Sequence, residues 1–239
     1  MRIVSTSPLF QLPNTYRAFY GAFAALHSFQ REVIAPILNG QDLILQAATG
    51  SGKTEAVLAP CLERVIRSEG FEAVLYVVPT RALVHDLRRR LEWLLHERLG
   101  LHLGIRTGDV KRLPGGQADV LLTTPESLDV MLGSSNREVR AFLPRVTMLV
   151  VDEVHQLVQG YRGRHLAYVL QRLARRSRRR LQKIALSATL GEPEAIRQAL
   201  GLQEEAVWVS QAVQRQIQPH LVHLKREPGE LVGFIDDLA

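Results

Sequence analysis

The chain carries a single cysteine, Cys61, in 239 residues, which excludes an internal disulfide and a cysteine-rich zinc site. Cys61 reads as core packing. Lysine is almost as scarce. Lys53, Lys111, Lys183 and Lys225 are the whole set, so arginine carries the positive side of a formal net charge of +6. No apolar run approaches the ~20 residues of a membrane span. Met1-Arg2-Ile3-Val4-Ser5 lacks the sustained apolar core of a signal peptide. There is no internal repeat and no long linker. These absences lead us to expect a soluble, cytoplasmic protein with no membrane partner. The length suits one large α/β domain, and 46% hydrophobic residues suffice for a proper core. Arginine forks bind phosphate in pairs, so the basic balance permits nucleic acid as a partner without requiring it.

Against this background one segment stands out: Gln46-Ala47-Ala48-Thr49-Gly50-Ser51-Gly52-Lys53-Thr54. An apolar run, Leu43-Ile44-Leu45, precedes it and a helical pattern follows. A strand, a Gly-rich loop and a helix in that order form a phosphate-binding loop. Its backbone N–H groups turn toward phosphate oxygens, and the helix start adds partial positive charge. Lys53 then reaches the β- and γ-phosphates, and Thr54 holds Mg²⁺. The usual pattern opens with Gly, where this loop has Ala47.

Strand-like runs recur at 43–46, 73–78, 101–106, 120–123, 147–151, 183–186 and 207–209, mostly with helical patterns between them. Continuous apolar runs such as Met148-Leu149-Val150-Val151 predict strands buried on both faces. The expected fold class is therefore α/β: a doubly wound, mostly parallel sheet with helices on both faces. Apolar spacing predicts two further helices, over 16–26 and 30–38, ahead of the sheet. The stretch 172–180 holds six arginines. It reads either as a solvated helix end, where the dipole favours cations, or as a nucleic-acid contact.

Val150-Val151-Asp152-Glu153-Val154-His155 ends an apolar strand with two carboxylates. Asp152 at the strand tip would hold Mg²⁺ through its water shell, and Glu153 would position the attacking water.

Gly50-Ser51-Gly52-Lys53-Thr54, Asp152-Glu153-Val154-His155 and Ser187-Ala188-Thr189 resemble motifs I, II and III of superfamily 2 helicases. Pro79-Thr80-Arg81-Ala82-Leu83 resembles motif Ia, and Thr124-Pro125-Glu126-Ser127 resembles motif Ib. Thr107-Gly108-Asp109 resembles the short element between them, and Gln30 sits where the family has its adenine-sensing glutamine. The resemblance covers roughly residues 20–200 and implies a RecA-like P-loop NTPase fold. Gly160-Tyr161-Arg162-Gly163-Arg164-His165-Leu166 and Leu186-Ser187-Ala188-Thr189-Leu190-Gly191 look most like the Lhr-type branch, whose members move 3′ to 5′ along one strand.

The resemblance implies a role for each matched residue. Gln30, Thr49, Gly50, Ser51, Gly52, Lys53 and Thr54 would bind ATP; Thr54 and Asp152 would hold Mg²⁺. Lys53, Asp152, Glu153 and His155 would serve catalysis. Thr80, Arg81, Thr107, Gly108, Thr124, Pro125 and Glu126 would contact sugar and phosphate of a nucleic-acid strand, single or partly duplex, DNA or RNA. Ser187, Ala188 and Thr189, joined by His155, would couple the ATP site to strand movement. His155 taken alone reads as a structural histidine, and Phe29 reads either as core or as an adenine stack. We expect a helical lead-in over 1–40, a RecA-like domain over 41–212 and the start of a linker or second lobe over 213–239, with a strand at 217–224 and a helix at 231–238. A helicase of this family needs a second RecA-like lobe with arginines that reach the γ-phosphate. Without it the chain is expected to bind ATP and hydrolyse it feebly. The alternatives are a double-strand translocase motor and a non-catalytic nucleotide-binding module.

Overall fold

A computed structural model describes residues 7–113, 117–177, 179–189 and 193–211. The strand expected at 217–224 and the helix at 231–238 lie outside the described residues. The chain order opens with four short helices: α1 (Pro8–Gln11), α2 (Tyr16–Tyr20), α3 (Ser28–Glu32) and α4 (Ile34–Leu38). Then come β1 (Leu43–Gln46), α5 (Lys53–Arg67), β2 (Ala73–Val77) and α6 (Arg81–Trp93). A hairpin of β3 (Leu103–Arg106) and β4 (Lys111–Arg112) leads to β5 (Val120–Thr123), α7 (Pro125–Leu132) and α8 (Arg137–Phe142). The described part closes with β6 (Val146–Val151), α9 (Gly160–Ala174), β7 (Gln182–Ser187), α10 (Pro193–Leu200) and β8 (Val207–Ser210).

The strands form one sheet in the order β4-β3-β5-β2-β6-β7-β1-β8. Every pairing is parallel except β3 with β4, where Arg106 faces Lys111. Helices cover both faces because alternate strand residues feed two separate cores. Val74 and Tyr76 of β2 join a cluster with Val57 and Leu58 of α5 and Leu87 of α6. Ala73, Leu75 and Val77 join a second cluster with Leu128 of α7 and Leu166 of α9. A strand buried on both faces has no polar side to show, hence the unbroken apolar runs in the sequence.

The lead-in helices pack on the first of these cores through Leu12, Phe19, Phe29 and Ile37. They are shorter than apolar spacing predicts. The helix over 16–26 stops at Tyr20 and the chain turns at Gly21. The helix over 30–38 is broken at Val33 into α3 and α4. Pro36 has no N–H to give the carbonyl of Glu32, so the ladder lapses there. Glu63 of α5 pins this lead-in. Its fully buried carboxylate accepts from Asn14 N at 3.0 Å, Asn14 Nδ2 at 2.7 Å, Thr15 N at 3.1 Å and Arg67 Nε at 3.0 Å.

The carboxyl ends of β1, β2, β3, β5, β6 and β7 release the chain at Ala47, Val78, Thr107, Thr124, Asp152 and Ala188. All the motif residues that follow these strands therefore share one edge, where ligands bind in open α/β sheets.

Candidate functional site: a nucleotide cleft and an adjoining phosphate-binding rim

The loop after β1 turns through two left-handed glycines, Gly50 at φ 74° and Gly52 at φ 86°. A Cβ on Gly52 would stand 2.7 Å from Gln30 Nε2. Only glycine fits both the backbone and the space. Helix α5 begins at once with Lys53, so its first N–H groups face the loop. The Lys53 ammonium donates to Ala47 O at 2.7 Å and Ala48 O at 3.2 Å, and the Ser51 hydroxyl donates to Ala48 O at 2.7 Å. Ala47 N in turn donates to Ser187 O at 3.1 Å, tying the loop to the end of β7.

Thr49, Gly50, Ser51, Gly52, Lys53, Thr54, Gln30, Asp152 and Glu153 all line one cleft of about 600 Å³. Asp152 ends β6 beside β2, where its N donates to Val77 O at 2.9 Å. Its carboxylate accepts from Tyr76 Oη at 2.8 Å and from Glu153 N at 2.8 Å. Burial pushes the Asp152 carboxyl above the ordinary carboxylate range, against the pull of those donors and of the nearby Lys53. Glu153 adopts φ 44°, a left-handed backbone that costs a non-glycine residue of order 1 kcal/mol. That turn aims its side chain into the cleft. Its buried Oε2 has no hydrogen-bond partner among the described residues, and His155 Nδ1 lies 3.5 Å away. His155 Nδ1 also meets Ser187 Oγ at 3.2 Å, and Ser187 Oγ donates to Thr189 O at 3.1 Å. Thus the structure joins the β6 and β7 motifs through His155. Ala188 is half-buried and Thr189 exposed.

Gln30 bonds within the protein, accepting from His27 N at 3.0 Å while its amide nitrogen faces Gly52. Phe29 is core, stacked on the His27 ring at 5.7 Å. The exposed aromatic on the cleft wall is instead Phe23, 65% exposed, with Phe19, Tyr20 and His27 also lining the cleft. Apolar spacing had placed Phe23 inside a helix, so nothing in the pattern marked it. Burial also raises the Tyr20 hydroxyl pKa, and that hydroxyl donates to Glu55 O at 3.1 Å.

The remaining motif residues form a rim beside this cleft. Thr80 caps α6, its hydroxyl accepting from Leu83 N at 3.3 Å. Arg81 lies across Gly108, where a Cβ would collide with the guanidinium, and its Nε stands 4.0 Å from Asp109 Oδ1. Thr107 is buried and its hydroxyl accepts from Val110 N at 3.2 Å. Thr124 caps α7 by accepting from Ser127 N at 3.4 Å, with Pro125 in the first turn. That hydroxyl is therefore committed to the helix, leaving the α7 start as the group that faces outward. Glu126 meets Arg162 Nη2 at 3.3 Å, and the same nitrogen donates to Pro79 O at 3.2 Å. Arg162 thus bridges the chain entering α6 and the start of α7. Its sequence neighbourhood pointed to a subgroup and gave no hint of this bridge.

The arginine stretch lies elsewhere, ahead of β7 at the amino edge of the sheet. Arg172 pairs with Asp129, Arg176 donates to Leu132 O, and Arg180 meets Asp42 at 3.2 Å. These bonds fit the helix-end reading. Among the described residues no helix is long and apolar enough to cross a membrane.

The model of the DEAD/DEAH box helicase family matches residues 27–196. Similar curated proteins include a Lhr helicase/probable uracil glycosylase of Mycolicibacterium smegmatis, 38% identical over 74% of this chain, and a Lhr helicase/uracil glycosylase of Escherichia coli, 33% identical over 79%. The chain spans only 13% and 14% of the length of those two relatives. A solved structure of Mycobacterium smegmatis helicase Lhr bound to ssDNA and AMP-PNP is 35% identical, with a TM-score of 0.71 over 86% of this chain and 28% of that one. DEAD-box helicase Mss116 bound to ssRNA, at 20% identity and a TM-score of 0.72, shares the fold, covering 82% of this chain and 42% of its own.

Proposed function

The chain belongs to the DEAD/DEAH box helicase family, in its Lhr-like branch, and on that premise we propose that it is the first RecA-like, ATP-binding lobe of a motor that couples ATP hydrolysis to movement along one nucleic-acid strand and to duplex unwinding. The observation that carries this reading is the pairing on one edge of a phosphate-loop cleft and a rim built from two capped helix starts.

In the cleft, the backbone amides of Thr49 to Thr54 and the start of α5 receive the phosphates. Lys53 exchanges its bonds to Ala47 and Ala48 for the β- and γ-phosphates. Gln30 offers its amide to the adenine edge, and Phe23 supplies an aromatic face beside it. Thr54 and Asp152 fit Mg²⁺, since both are hard oxygen donors. Magnesium commonly takes one or two carboxylates plus substrate phosphates, so a larger acidic cluster is not needed. When bound, the ion neutralises phosphate charge. Glu153, strained and with no hydrogen-bond partner at Oε2 among the described residues, holds the attacking water in line. His155 and Ser187 carry the change at the γ-phosphate toward Ala188 and Thr189.

On the rim, Thr80, Arg81, Gly108, Pro125 and Glu126 lie along the path of a strand's sugar-phosphate backbone. Thr107 and Thr124 support it from beneath through their turn and cap bonds. Such contacts read little sequence. The 35%-identical relative holds ssDNA, which makes DNA the strand to test first. We assign residues 1–40 as helical lead-in, 41–212 as the RecA-like domain and 213–239 as the start of a linker or second lobe, and place the protein in the cytoplasm. A second lobe would supply the arginines that typically add about 10³ to 10⁵ in rate.

The test is ATP hydrolysis by this chain, alone and with single-stranded DNA or RNA. Clear Mg-ATP binding with feeble turnover is expected. Robust turnover by the monomeric chain would sink the two-lobe account.

A further inference from the structure

Tyr76 lies behind the cleft, bonded to Asp152, and no motif names it. It lies in β2 between β5 and β6, fully buried, in register with Val150. The other residues of β2 are Ala73, Val74, Leu75 and Val77. A phenylalanine would fill the same space, whereas a buried phenol must find a partner for its hydroxyl or lose free energy. Here that partner is Asp152 Oδ2 at 2.8 Å. The other carboxylate oxygen is held by Glu153 N at 2.8 Å, so the plane of the Asp152 carboxylate is fixed from two sides. One buried hydroxyl therefore holds a residue assigned to magnesium, at the tip of β6.

We infer that Tyr76 is a positioning residue for the magnesium site, its hydroxyl fixing the Asp152 carboxylate. The inference rests on the reading of the cleft as a Mg-nucleotide site. Groups that orient a metal's ligands commonly matter by 10- to 100-fold in affinity, because a free ligand must be ordered when the ion arrives. A tyrosine that only fills core would contribute to stability and leave the need for magnesium untouched.

The test titrates a fluorescent ADP analogue onto the full 239-residue chain and its Tyr76→Phe variant, across a magnesium series and in EDTA. The variant is expected to need about 10- to 100-fold more magnesium for half-maximal tight binding. Its affinity in EDTA should match wild type, which also shows that the fold survived. Equal magnesium midpoints for the two proteins would overturn the inference while leaving the nucleotide cleft intact. Absence of nucleotide binding by wild type in either condition would overturn the cleft reading and this inference with it. A second measurement stands if Tyr76→Phe does not fold. With 3-fluorotyrosine placed at position 76, the fluorine resonance should move when magnesium joins the nucleotide-bound chain, and stay still when magnesium is added alone. A resonance that ignores magnesium in the presence of nucleotide would overturn the proposal.

Discussion

The cleft and the rim share an edge of the sheet and differ in how their polar groups are occupied. In the cleft, Lys53, Ser51, Gln30 and Asp152 are bonded to the protein itself, at short distances and partly or fully out of water. On the rim, Arg81 reaches Asp109 at 4.0 Å and Arg162 reaches Glu126 at 3.3 Å, with all four side chains about half exposed or more. Exposed pairs of that kind are worth at most about 1 kcal/mol and weaken with salt. The cleft must therefore trade internal hydrogen bonds for those of one particular ligand, which favours selectivity. In the proposed reading the rim would give up little when a phosphate arrives, which favours a strand that has to be gripped and released.

The largest expected effect breaks the comparison on the cleft side. Glu153→Gln should keep nucleotide binding while lowering the strand-stimulated hydrolysis rate, measured once a second lobe is supplied, by about 10²- to 10⁴-fold. Next is the pinning of the cleft's outer wall. Glu63→Ala leaves the N–H groups of Asn14 and Thr15 without an acceptor and should cost about 3 kcal/mol, read by urea or thermal unfolding. The third effect is on pH. Asp152 is raised by burial, so it takes up a proton at a higher pH than an ordinary carboxyl group. The protonated form cannot serve magnesium. Mg-dependent nucleotide binding should therefore weaken as pH falls through that raised value, while binding in EDTA follows a different curve. The smallest effect sharpens the rim. Arg162→Ala should weaken single-strand binding by about threefold to tenfold and reduce its salt dependence, with nucleotide affinity unchanged.

Much of this molecule was legible before folding, for identifiable reasons. The parallel strands were visible because burial on both faces forces apolar runs, as in Val146–Val151. The two-residue strand Lys111–Arg112 escaped because a polar, edge-lying pair makes no such run. Apolar spacing carried the lead-in helices through Gly21 and Pro36, two punctuators that were present in the sequence and outweighed by periodicity. In the site, contiguous motifs marked Thr49 to Thr54, Asp152 and Glu153, and these residues line one cleft. Tyr76 and Arg162 were not legible, since each acts on residues far along the chain, 76 positions away for Asp152 and 83 for Pro79. For Tyr76 a signal did exist: a lone phenol in an otherwise apolar buried strand implies a partner.

The most direct test of two distinct sites on one edge is a paired equilibrium titration of wild type and Lys53→Ala with a Mg-ATP analogue and with single-stranded DNA. Wild type should bind both, and Lys53→Ala should lose the nucleotide while holding the strand as before. A variant that binds nucleotide as well as wild type, or that loses both ligands together while still folded, would contradict the account.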